Sequence, residues 1–522
     1  MNRRNFFSNA AIMGTVGALG TGTMLASNSP KQDYSQKTIY NIRDFGAAGD
    51  GETICTNAIN SAIATCHENG GGRVLVPVGV FKSGTIMMKS NVELHLEMGA
   101  TLLASTEHKD FPRLPQPEFR THLDRGGWFA LIYAEKMSNI AITGFGTIDG
   151  NGALQKPHPD STPGPNEFSN DMRNRPRNIL LISCKQVRVE GLKMQQSGMW
   201  MQHYLNCEDV IVDRIEVYNH CNMHNDQIDI DCCRRFVLSN SIMDSEDDGI
   251  TFKSSGDAVS EDVTVTNCVI SSRCNAIKMG TGSIGGFRNI CINNCVIKKS
   301  RSTAPMVHPG VQEIGISGIS LQITDGGIME GIAISNIVIE EVQCPLFIWL
   351  GNRATKVAPD MPARPVGKLR NITISNIVAY HTGNICNSIS GFPGHNIENV
   401  TINNIQLFNR GGIRSGQYLA THQQVPERER DYPEATMHGR LPSSAFFIRH
   451  VKGISINNLM FGSNENDPRI PVIAADVERL YLGKSIFTGD TFPPSYALLN
   501  NVKEYDIEKP LGWGENQVIK QE

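Results

Sequence analysis

Two adjacent aspartates, Asp247 and Asp248, stand directly before a glycine and an alternating apolar run that contains Ile250 and Phe252. Neighbouring carboxyl groups repel each other, which pushes their pKa values apart, so that one can remain protonated while the other is ionised. A third aspartate, Asp226, lies 21 residues before Asp247. One carboxylic acid and one carboxylate are what hydrolysis of a glycosidic bond requires. The spacing therefore indicates acid–base chemistry, provided that the fold brings Asp226 beside the pair.

A short apolar phrase that turns at a Ser-Asn or Asn-Asn pair recurs along the chain, for example "ISNIVIE" and "INNCVIK". Five successive copies, counted at their first apolar position, are 23 to 27 residues apart: Val187, Val210, Phe236, Val263 and Ile290. Repeats of this length with short strands and no helix are typical of the coils of a parallel β-helix. The pattern predicts an all-β solenoid. Later steps of 42 and 40 residues leave room for loops that project from the coils.

One segment near the start of the chain has helical periodicity. Within residues 49–71 the apolar positions Ala58, Ile59, Ala62, Ile63 and Cys66 follow helical spacing, and glycines follow them. We expect a short N-terminal helix there that caps the first coil. The Asn-Asn and Ser-Asn pairs are expected to stack as inner or turn ladders, which would satisfy backbone groups where the chain bends.

Aligning three successive coils brings the candidate acids together. The alignment superimposes residues 224–233, 246–255 and 273–282. Alternate residues of a strand share a face, and the inward positions hold Ile228, Ile250 and Ile277. The three candidate acids then occupy two adjacent columns just before the strand.

The backbone before the strand decides whether these columns are accessible. Strict alternation would turn Asp226 and Asp248 inward. We expect Gly249 to let the chain bend there, so that both columns reach solvent. The strand positions expected to face outward beside them are Asp229, Thr251 and Lys278. Three converging carboxylates cost stability through repulsion, which is more typical of a functional site than of a solvated acidic face.

These residues resemble the motif set of glycoside hydrolase family 28, the polygalacturonases and their relatives: N-x-D, then D-D about twenty residues later, then G-H-G, then R-x-K. Asp226 matches the aspartate of the first motif, with His224 where the asparagine would be, and Asp247-Asp248 match the D-D pair. The similarity runs through most of the chain and includes "FGAAGDG", "GTIDGNG" (146–152), "IWLGNR" (348–353) and "YPEATMHGRLP" (432–442).

The resemblance implies a right-handed parallel β-helix, an inverting mechanism, and no metal or cofactor. It assigns the general acid to Asp247, and it assigns the holding and activation of the attacking water to Asp226 and Asp248. In inverting glycosidases the acid and the base lie roughly 6.5–9.5 Å apart, which leaves room for that water.

Two departures from the motif set concern substrate binding. Asn275 stands where the family has the histidine of G-H-G, and Ser320 and Gln322 stand where it has R-x-K. In polygalacturonases that Arg and Lys bind the substrate's carboxylate. We therefore predict that unsubstituted polygalacturonan is a poor substrate and that a branched or rhamnose-containing pectin is a better one. In the alternative, Lys253 and Lys278 restore the missing charge.

Further residues are candidates for contact with the sugar. The predicted substrate-binding set is Asn225, Lys253, Asn275, Lys278 and Arg353. His308 is another possible source of a cation, although any of these basic residues could instead lie on a surface or a loop. Three tryptophans in or near the coils could either stack on sugars or pack in the core: Trp128, Trp200 and Trp349.

The composition is that of an ordinary globular protein, with 40% hydrophobic and 19% charged residues and a net charge of −4. We expect no nucleic-acid partner and no membrane span in the mature protein. Residues 1–26 contain a twin arginine, an apolar stretch and small residues near Ala26, the expected end of the signal. This pattern predicts a twin-arginine export signal. Residues 27–522 are predicted to form one catalytic β-helix, monomeric and exported to the periplasm or beyond. The thirteen cysteines are expected to be mostly buried small hydrophobes.

Three functions are compatible with this sequence. The leading hypothesis is a glycoside hydrolase that acts on a plant cell-wall type polysaccharide or oligosaccharide, with insertions at 299–331, 344–368 and 409–447 that favour exo action. The second is a pectate-lyase-like enzyme, in which Asp226, Asp229 and Asp248 would bind calcium and an Arg or Lys would act as base. The third is a non-catalytic carbohydrate-binding β-helix.

Overall fold

The computed structural model describes residues 38–125, 127–159, 175–306, 314–489, 491–514 and 518–521. The predicted export signal (1–26) and His308 lie outside these ranges. The strands, numbered along the chain, begin with β1 (Ile39–Asn41), β2 (Asp50–Ile54), β3 (Gly72–Val76), β4 (Gly79–Ser83), β5 (Ile86–Met87), β6 (Val92–Leu96), β7 (Ala100–Ala104), β8 (Ala130–Glu135), β9 (Ser138–Gly144), β10 (Thr147–Asp149), β11 (Arg177–Ile182), β12 (Lys185–Glu190), β13 (Lys193–Gln195), β14 (Gln202–Leu205), β15 (Glu208–Asp213), β16 (Glu216–Asn219) and β17 (Ile228–Asp231).

The second half of the solenoid contains the longer strands. They are β18 (Arg234–Ser239), β19 (Ile242–Ser245), β20 (Ile250–Ser254), β21 (Ser260–Thr266), β22 (Val269–Ser272), β23 (Asn275–Ser283), β24 (Gly286–Lys298), β25 (Ser317–Ile323), β26 (Ile328–Glu340), β27 (Cys344–Leu350), β28 (Lys368–Thr382), β29 (Asn387–Ser390), β30 (Ile397–Asn409), β31 (Ser443–Ser463), β32 (Ile470–Leu482), β33 (Ser485–Phe487), β34 (Ala497–Ile507) and β35 (Ile519–Gln521).

The strands form three long parallel sheets that run along the molecule. The first sheet begins β1–β3–β6–β9–β12–β15–β18–β21. The second begins β2–β4–β7–β10–β13–β16–β19–β22. The third runs β5–β8–β11–β14–β17–β20–β23–β25–β27–β29. Each coil adds a segment to each sheet, and the architecture is the predicted right-handed parallel β-helix.

The register of the first sheet confirms the repeat that the sequence predicted. The five repeat positions are successive neighbours across the sheet: Val187, Val210, Phe236, Val263 and Ile290. The longer steps continue the same stack, because Ile290 pairs with Ile332 and Ile332 with Ile372. Their inward side chains belong to one continuous apolar core that fills the solenoid. Burial of that core is the main force that holds successive coils together.

A single α-helix in the described chain, α1 (Thr56–Glu68), packs at the start of the solenoid. It buries the apolar side predicted from the spacing, including Ile59, Ala62, Ile63 and Cys66. The helix ends before Gly70, whose φ of 93° is the left-handed conformation that favours glycine after a helix. Short 3-10 helices occur at Ile42–Phe45, His108–Asp110, His122–Arg125, Gly152–Leu154 and His422–Gln424.

The asparagine pairs form a ladder at the outer turn, one of the two predicted places. Side-chain amides of successive coils donate to one another at 2.8–3.2 Å along Asn294, Asn336, Asn376, Asn404 and Asn458. Each of these residues has a φ between 53° and 56°, a left-handed conformation that asparagine tolerates well. The ladder therefore satisfies polar groups at the bend and fixes the register between coils.

The insertions contain more strand structure than predicted. The ranges 299–331 and 344–368, expected to be loops, contain β25 and β27, two strands of the third sheet.

All thirteen cysteines lie in the described part of the chain and are free, and all but Cys221 and Cys291 are buried, in agreement with the prediction. The helices in the described ranges are too short or too polar to span a bilayer.

Candidate active site

The candidate acids lie at the turns that lead into β17 and β20 of the third sheet. The inward positions of the aligned coils are register partners and fully buried: Ile228, Ile250 and Ile277. This register confirms the alignment and places Asp226 on one coil and the Asp247-Asp248 pair on the next. The two turns are joined directly, because the backbone N–H of Gln227 donates to the carbonyl oxygen of Asp248 at 3.1 Å.

The three carboxyl groups line one cavity of about 360 Å³. Only 3%, 7% and 4% of the surfaces of Asp226, Asp247 and Asp248 are exposed. The columns therefore open into a partly open cavity, through which the acids keep a small contact with solvent. A concave site of this volume is typical of small-ligand and substrate sites. The remaining lining residues are His122, Leu123, Trp200, His224, Lys253, Cys274, Lys278, Thr281, Gly282, Tyr432 and Glu434.

Glycine is required at position 249 for a reason other than the predicted bend. Its φ lies outside the left-handed region, so the backbone there does not require glycine. A Cβ atom at this position would lie 2.2 Å from the carbonyl oxygen of Ala276 on the next coil. Its backbone N–H also donates to the carbonyl oxygen of Asn275 at 2.8 Å. Glycine is required because the two coils approach closely at this point.

The strand positions predicted to face outward are on the outside of the coil but are not exposed. Asp229 and Thr251 are fully buried and Lys278 is 1% exposed. Other segments cover this part of the third sheet, so charged groups that would be solvated on a bare solenoid interact with each other instead. Buried charges need partners, and the lysines of the cavity have them.

Asp248 is held as a carboxylate by the next coil. Lys278 Nζ lies 2.7 Å from its Oδ2, and Asn275 Nδ2 donates to its Oδ1 at 2.8 Å. Burial alone would raise the pKa of Asp248, but the positive charges of Lys278 and Lys253 outweigh burial and lower it to about 2. Asp248 is therefore ionised across the physiological pH range, as a catalytic base must be.

Asp226 has the opposite tendency. Its complete desolvation, together with the negative charges of Asp229 and Asp247, raises its pKa well above the ordinary range. The neighbouring Asp229 is also buried, and burial raises its pKa to about 7 although Lys253 lies 3.1 Å from its Oδ1. Asp226 therefore favours its protonated form, whereas Asp248 is ionised.

Asp247 is the most exposed of the three acids. Its Oδ1 accepts a hydrogen bond from the backbone N–H of Asp248 at 2.9 Å. Its carbonyl oxygen accepts from Ser245 Oγ at 2.9 Å and from Ser272 Oγ at 2.6 Å. The backbone of the acid is thus fixed by two hydroxyl groups while the carboxyl group faces the cavity.

The sequence did not single out Tyr432 and Glu434, which reach the cavity from a distant segment. Glu434 Oε1 lies 3.6 Å from Lys278 Nζ, and Glu434 Oε2 accepts a hydrogen bond from Asn275 Nδ2 at 3.3 Å. The Tyr432 hydroxyl accepts from Lys278 Nζ at 3.1 Å, and this tyrosine is 53% exposed. The one available signal was the similarity of "YPEATMHGRLP" to the family, which carries no information about location.

Of the five predicted substrate-binding residues, the structure brings Lys253 and Lys278 to the cavity wall. Asn225 is fully buried and does not line the cavity. Its Oδ1 accepts from the backbone N–H groups of residues 221 and 222, and its Nδ2 donates to the carbonyl oxygens of residues 197 and 199. These four bonds hold the turn that carries Asp226, so the structure gives Asn225 a supporting position in place of the predicted contact.

The other two predicted residues also have partners within the protein. Asn275 is fully buried between Asp248 and Glu434, and its Oδ1 accepts from Ser317 Oγ at 2.6 Å. Arg353 Nη2 lies 2.7 Å from Asp325 Oδ2 and donates to the carbonyl oxygen of residue 281. Neither residue lines the cavity, so both act on it through neighbouring groups.

The tryptophans divide between the two predicted roles. Trp200 lines the cavity, and Lys253 Nζ lies 4.7 Å from the centre of its ring. Trp128 and Trp349 are 1% and 0% exposed and pack in separate apolar clusters. Arg177 is buried with its guanidinium 4.9 Å from the Trp200 ring, and burial lowers its pKa to about 10.

Asp247, Asp248 and Cys274 have ligand atoms within 4.8 Å of one another, which is close enough to hold a metal ion. The fit is poor, because both oxygens of Asp248 already bind Lys278 and Asn275. A thiol is also a soft donor that does not suit calcium or magnesium. The calcium set considered for a lyase has the same difficulty, since Asp229 is paired with Lys253.

The chain is similar in sequence to known proteins. A family model described as "Glycosyl hydrolases family 28" matches residues 66–425. A probable polygalacturonase from Vitis vinifera is 27% identical over 277 residues, which is 50% of this chain and 55% of the relative. An exo-poly-alpha-D-galacturonosidase from Dickeya chrysanthemi is 37% identical over 146 residues, which is 26% of this chain and 24% of the relative. The chain thus spans about half, or less, of the length of these two relatives.

Solved structures show the same fold. The hyperthermoactive exopolygalacturonase from Thermotoga maritima matches with a TM-score of 0.57 and 24% identity, over 71% of this chain and 87% of that one. The family 28 exopolygalacturonase from Yersinia enterocolitica matches with a TM-score of 0.60 and 18% identity, over 93% of this chain and 78% of that one.

Proposed function

Because this chain belongs to glycosyl hydrolase family 28, we propose that it is a glycoside hydrolase that cleaves glycosidic bonds of pectic polysaccharide. The observation that carries the proposal is the convergence of Asp226, Asp247 and Asp248 in one cavity. Their environments differ, with Asp248 held ionised and Asp226 favoured in its protonated form. An ionised Asp248 can accept the proton of the attacking water, and a protonated Asp226 can hold that water without competing for its proton.

The residues divide the reaction between them. Asp247 donates a proton to the glycosidic oxygen, so that the leaving sugar departs as a neutral alcohol. A water molecule held by Asp248 and Asp226 attacks the anomeric carbon from the opposite face and transfers a proton to Asp248. The product has inverted anomeric configuration. Lys278 keeps Asp248 negatively charged before the attack, because its ammonium group lies 2.7 Å away.

The lyase alternative is less compatible with the cavity. Lyases of this shape use an Arg or Lys as base, which must be deprotonated. Burial works against the charged form of Lys253 and Lys278, but the surrounding carboxylates outweigh it and raise the pKa of both amines. Both lysines therefore remain protonated and cannot accept a proton from the sugar.

A screen of pectic polysaccharides with product analysis tests the proposed reaction. The substrates are homogalacturonan, rhamnogalacturonan and branched pectins, and the Asp247→Asn variant is the blank. Hydrolysis releases a reducing sugar whose initial anomeric form, read by NMR, is inverted. An unsaturated product that absorbs in the ultraviolet and disappears with a chelator would identify a lyase. Binding of these polysaccharides without any turnover would identify a carbohydrate-binding protein.

We also propose that the enzyme is exported, cleaves from a chain end, and acts as a monomer. Exo action is supported by the insertion 409–447, because Tyr432 and Glu434 from this insertion line the cavity. A time course in which mixed oligomers appear first would exclude exo action. Cell fractionation tests whether residues 1–26 direct export to the periplasm or further, and light scattering measures the mass of the purified protein.

A further inference from the structure

The segment 432–434, here called the strap, crosses the catalytic cavity. Tyr432 lies at its mouth with an exposed ring, and Glu434 points into it. The carbonyl oxygen of Pro433, between them, accepts a hydrogen bond from Gln322 Nε2 at 3.3 Å. The strap is therefore fixed to the third sheet although it lies more than 100 residues further along the chain.

The strap is held by the residues that replace the family's substrate-binding motifs. Asn275, at the histidine position, donates to Glu434 Oε2 at 3.3 Å. Gln322, at the lysine position of R-x-K, donates to the strap carbonyl oxygen and also to Ser320 Oγ at 2.6 Å. Ser320 itself stands at the arginine position. All three altered positions thus support the strap, two of them by direct contact.

The strap also changes the charge of the cavity. Glu434 adds a carboxyl group beside Asn275, while the two positions of the R-x-K cations hold the uncharged Ser320 and Gln322. Glu434 faces Lys278 at 3.6 Å, but that ammonium group already lies 2.7 Å from Asp248. The second lysine of the cavity, Lys253, lies 3.1 Å from Asp229. A substrate carboxylate would therefore meet two lysines whose charges are already compensated by carboxyl groups, and it would approach Glu434 as well.

We propose that Glu434 selects a sugar unit without a carboxylate at the position beside Asp248. The Glu434 oxygens accept hydrogen bonds from the hydroxyl groups of that sugar, and the exposed Tyr432 ring packs on its apolar face. Aromatic rings and acceptor carboxylates suit a neutral hexose or deoxyhexose. Burial raises the pKa of Glu434 to about 7, so above that pH a uronate in this position would experience like-charge repulsion. This inference rests on the proposed function, because it assigns the substrate class of the same cavity.

Two trisaccharides that differ only in their carboxylates provide the test. One is trigalacturonic acid, and the other is the same molecule with its carboxyl groups reduced to primary alcohols. Calorimetric titration at pH 8 measures both dissociation constants, with the Asp247→Asn variant used to prevent turnover. We expect the reduced trisaccharide to bind at least tenfold more tightly. Adding Glu434→Gln should lower this ratio at least fivefold, mainly through tighter binding of the uronate.

A matched control and a turnover measurement separate the possible outcomes. Glu429→Gln changes an acid three residues before the strap that does not line the cavity, and it should leave the ratio unchanged. Equal or tighter binding of trigalacturonic acid, a ratio that Glu434→Gln does not alter, or binding of neither trisaccharide would overturn the role of Glu434. The expected binding ratio without hydrolysis of any pectic substrate by the wild-type enzyme would keep that role and reject the proposed reaction.

Discussion

The ammonium group of Lys278 lies 2.7 Å from the Oδ2 atom of Asp248, and both side chains are almost completely buried. The two residues are on successive coils, so the stacking of the solenoid creates the pair. The pair explains why Asp248 remains ionised inside a cavity that favours protonation of Asp226. It also joins the proposed catalytic base to a residue that the sequence suggested for substrate binding.

Replacement of Lys278 by methionine should shift the pH dependence of activity. Without the ammonium group, burial dominates and the pKa of Asp248 rises from about 2. A base is lost when it becomes protonated, so the acidic limb of kcat/KM should move to higher pH by roughly 1–3 units. Measuring kcat/KM from pH 3 to pH 8 tests this shift, and the surface variant Lys298→Met serves as control.

An unchanged acidic limb in Lys278→Met would show that Lys278 does not maintain the charge of Asp248. A stability measurement gives a second readout with a defined sign. The folded-state pKa of Asp248 is lowered from 3.8 to about 2. Its contribution to stability is therefore complete above the ordinary pKa and is lost as the pH falls towards 2. Lys278→Met should reduce this acid-dependent loss.

Replacement of Asp247 by asparagine should remove the general acid without unfolding the protein. The amide oxygen of asparagine can still accept the hydrogen bond from the backbone N–H of Asp248. Loss of a positioned acid typically lowers kcat by roughly 10²- to 10⁴-fold. Steady-state kinetics and a thermal melt check both parts, with the exposed Asp262→Asn as control. If Asp247→Asn retained a large fraction of wild-type activity, the acid would have to be reassigned.

Replacement of Asn225 by alanine should destabilise the turn that carries Asp226. Four hydrogen bonds of the side chain are lost. At a net 0.5–1.5 kcal/mol each, the free energy of unfolding should fall by about 2–6 kcal/mol. Chemical denaturation measures this change, and the exposed Asn403→Ala should change it by less than about 0.5 kcal/mol. A raised KM with unchanged stability would instead support the original prediction of a substrate contact.

Replacement of Ile250 by aspartate should unfold the solenoid. The side chain is fully buried in the stack between Ile228 and Ile277. An unpaired charge there should cost about 3 kcal/mol or more. Thermal unfolding followed by circular dichroism measures the loss, with the partly exposed Val237→Asp as the matched control. A normal melting curve for Ile250→Asp is incompatible with this register.

The sequence by itself determined the solenoid and the convergence of the acids. Both follow from periodicity, because a repeat of 23 to 27 residues with apolar positions in phase can bury those positions only by stacking. The same phase put Ile228, Ile250 and Ile277 in one column and therefore Asp226 beside Asp247 and Asp248. The sequence predicted that Gly249 allows a bend. Glycine is required there because the backbone of Ala276 on the next coil lies too close for a side chain.

Only the tertiary structure decided what surrounds the acids. The sequence placed Asp229, Thr251 and Lys278 on the outer face of the coil, but strand alternation does not identify the segments that bury them there. Glu434 reaches Asn275 across 159 residues, and no repeat or spacing encodes a contact between an inserted segment and the sheet. The charge state of the cavity depends on such contacts, since each ion pair or desolvation acts through space over a few ångströms and not along the sequence.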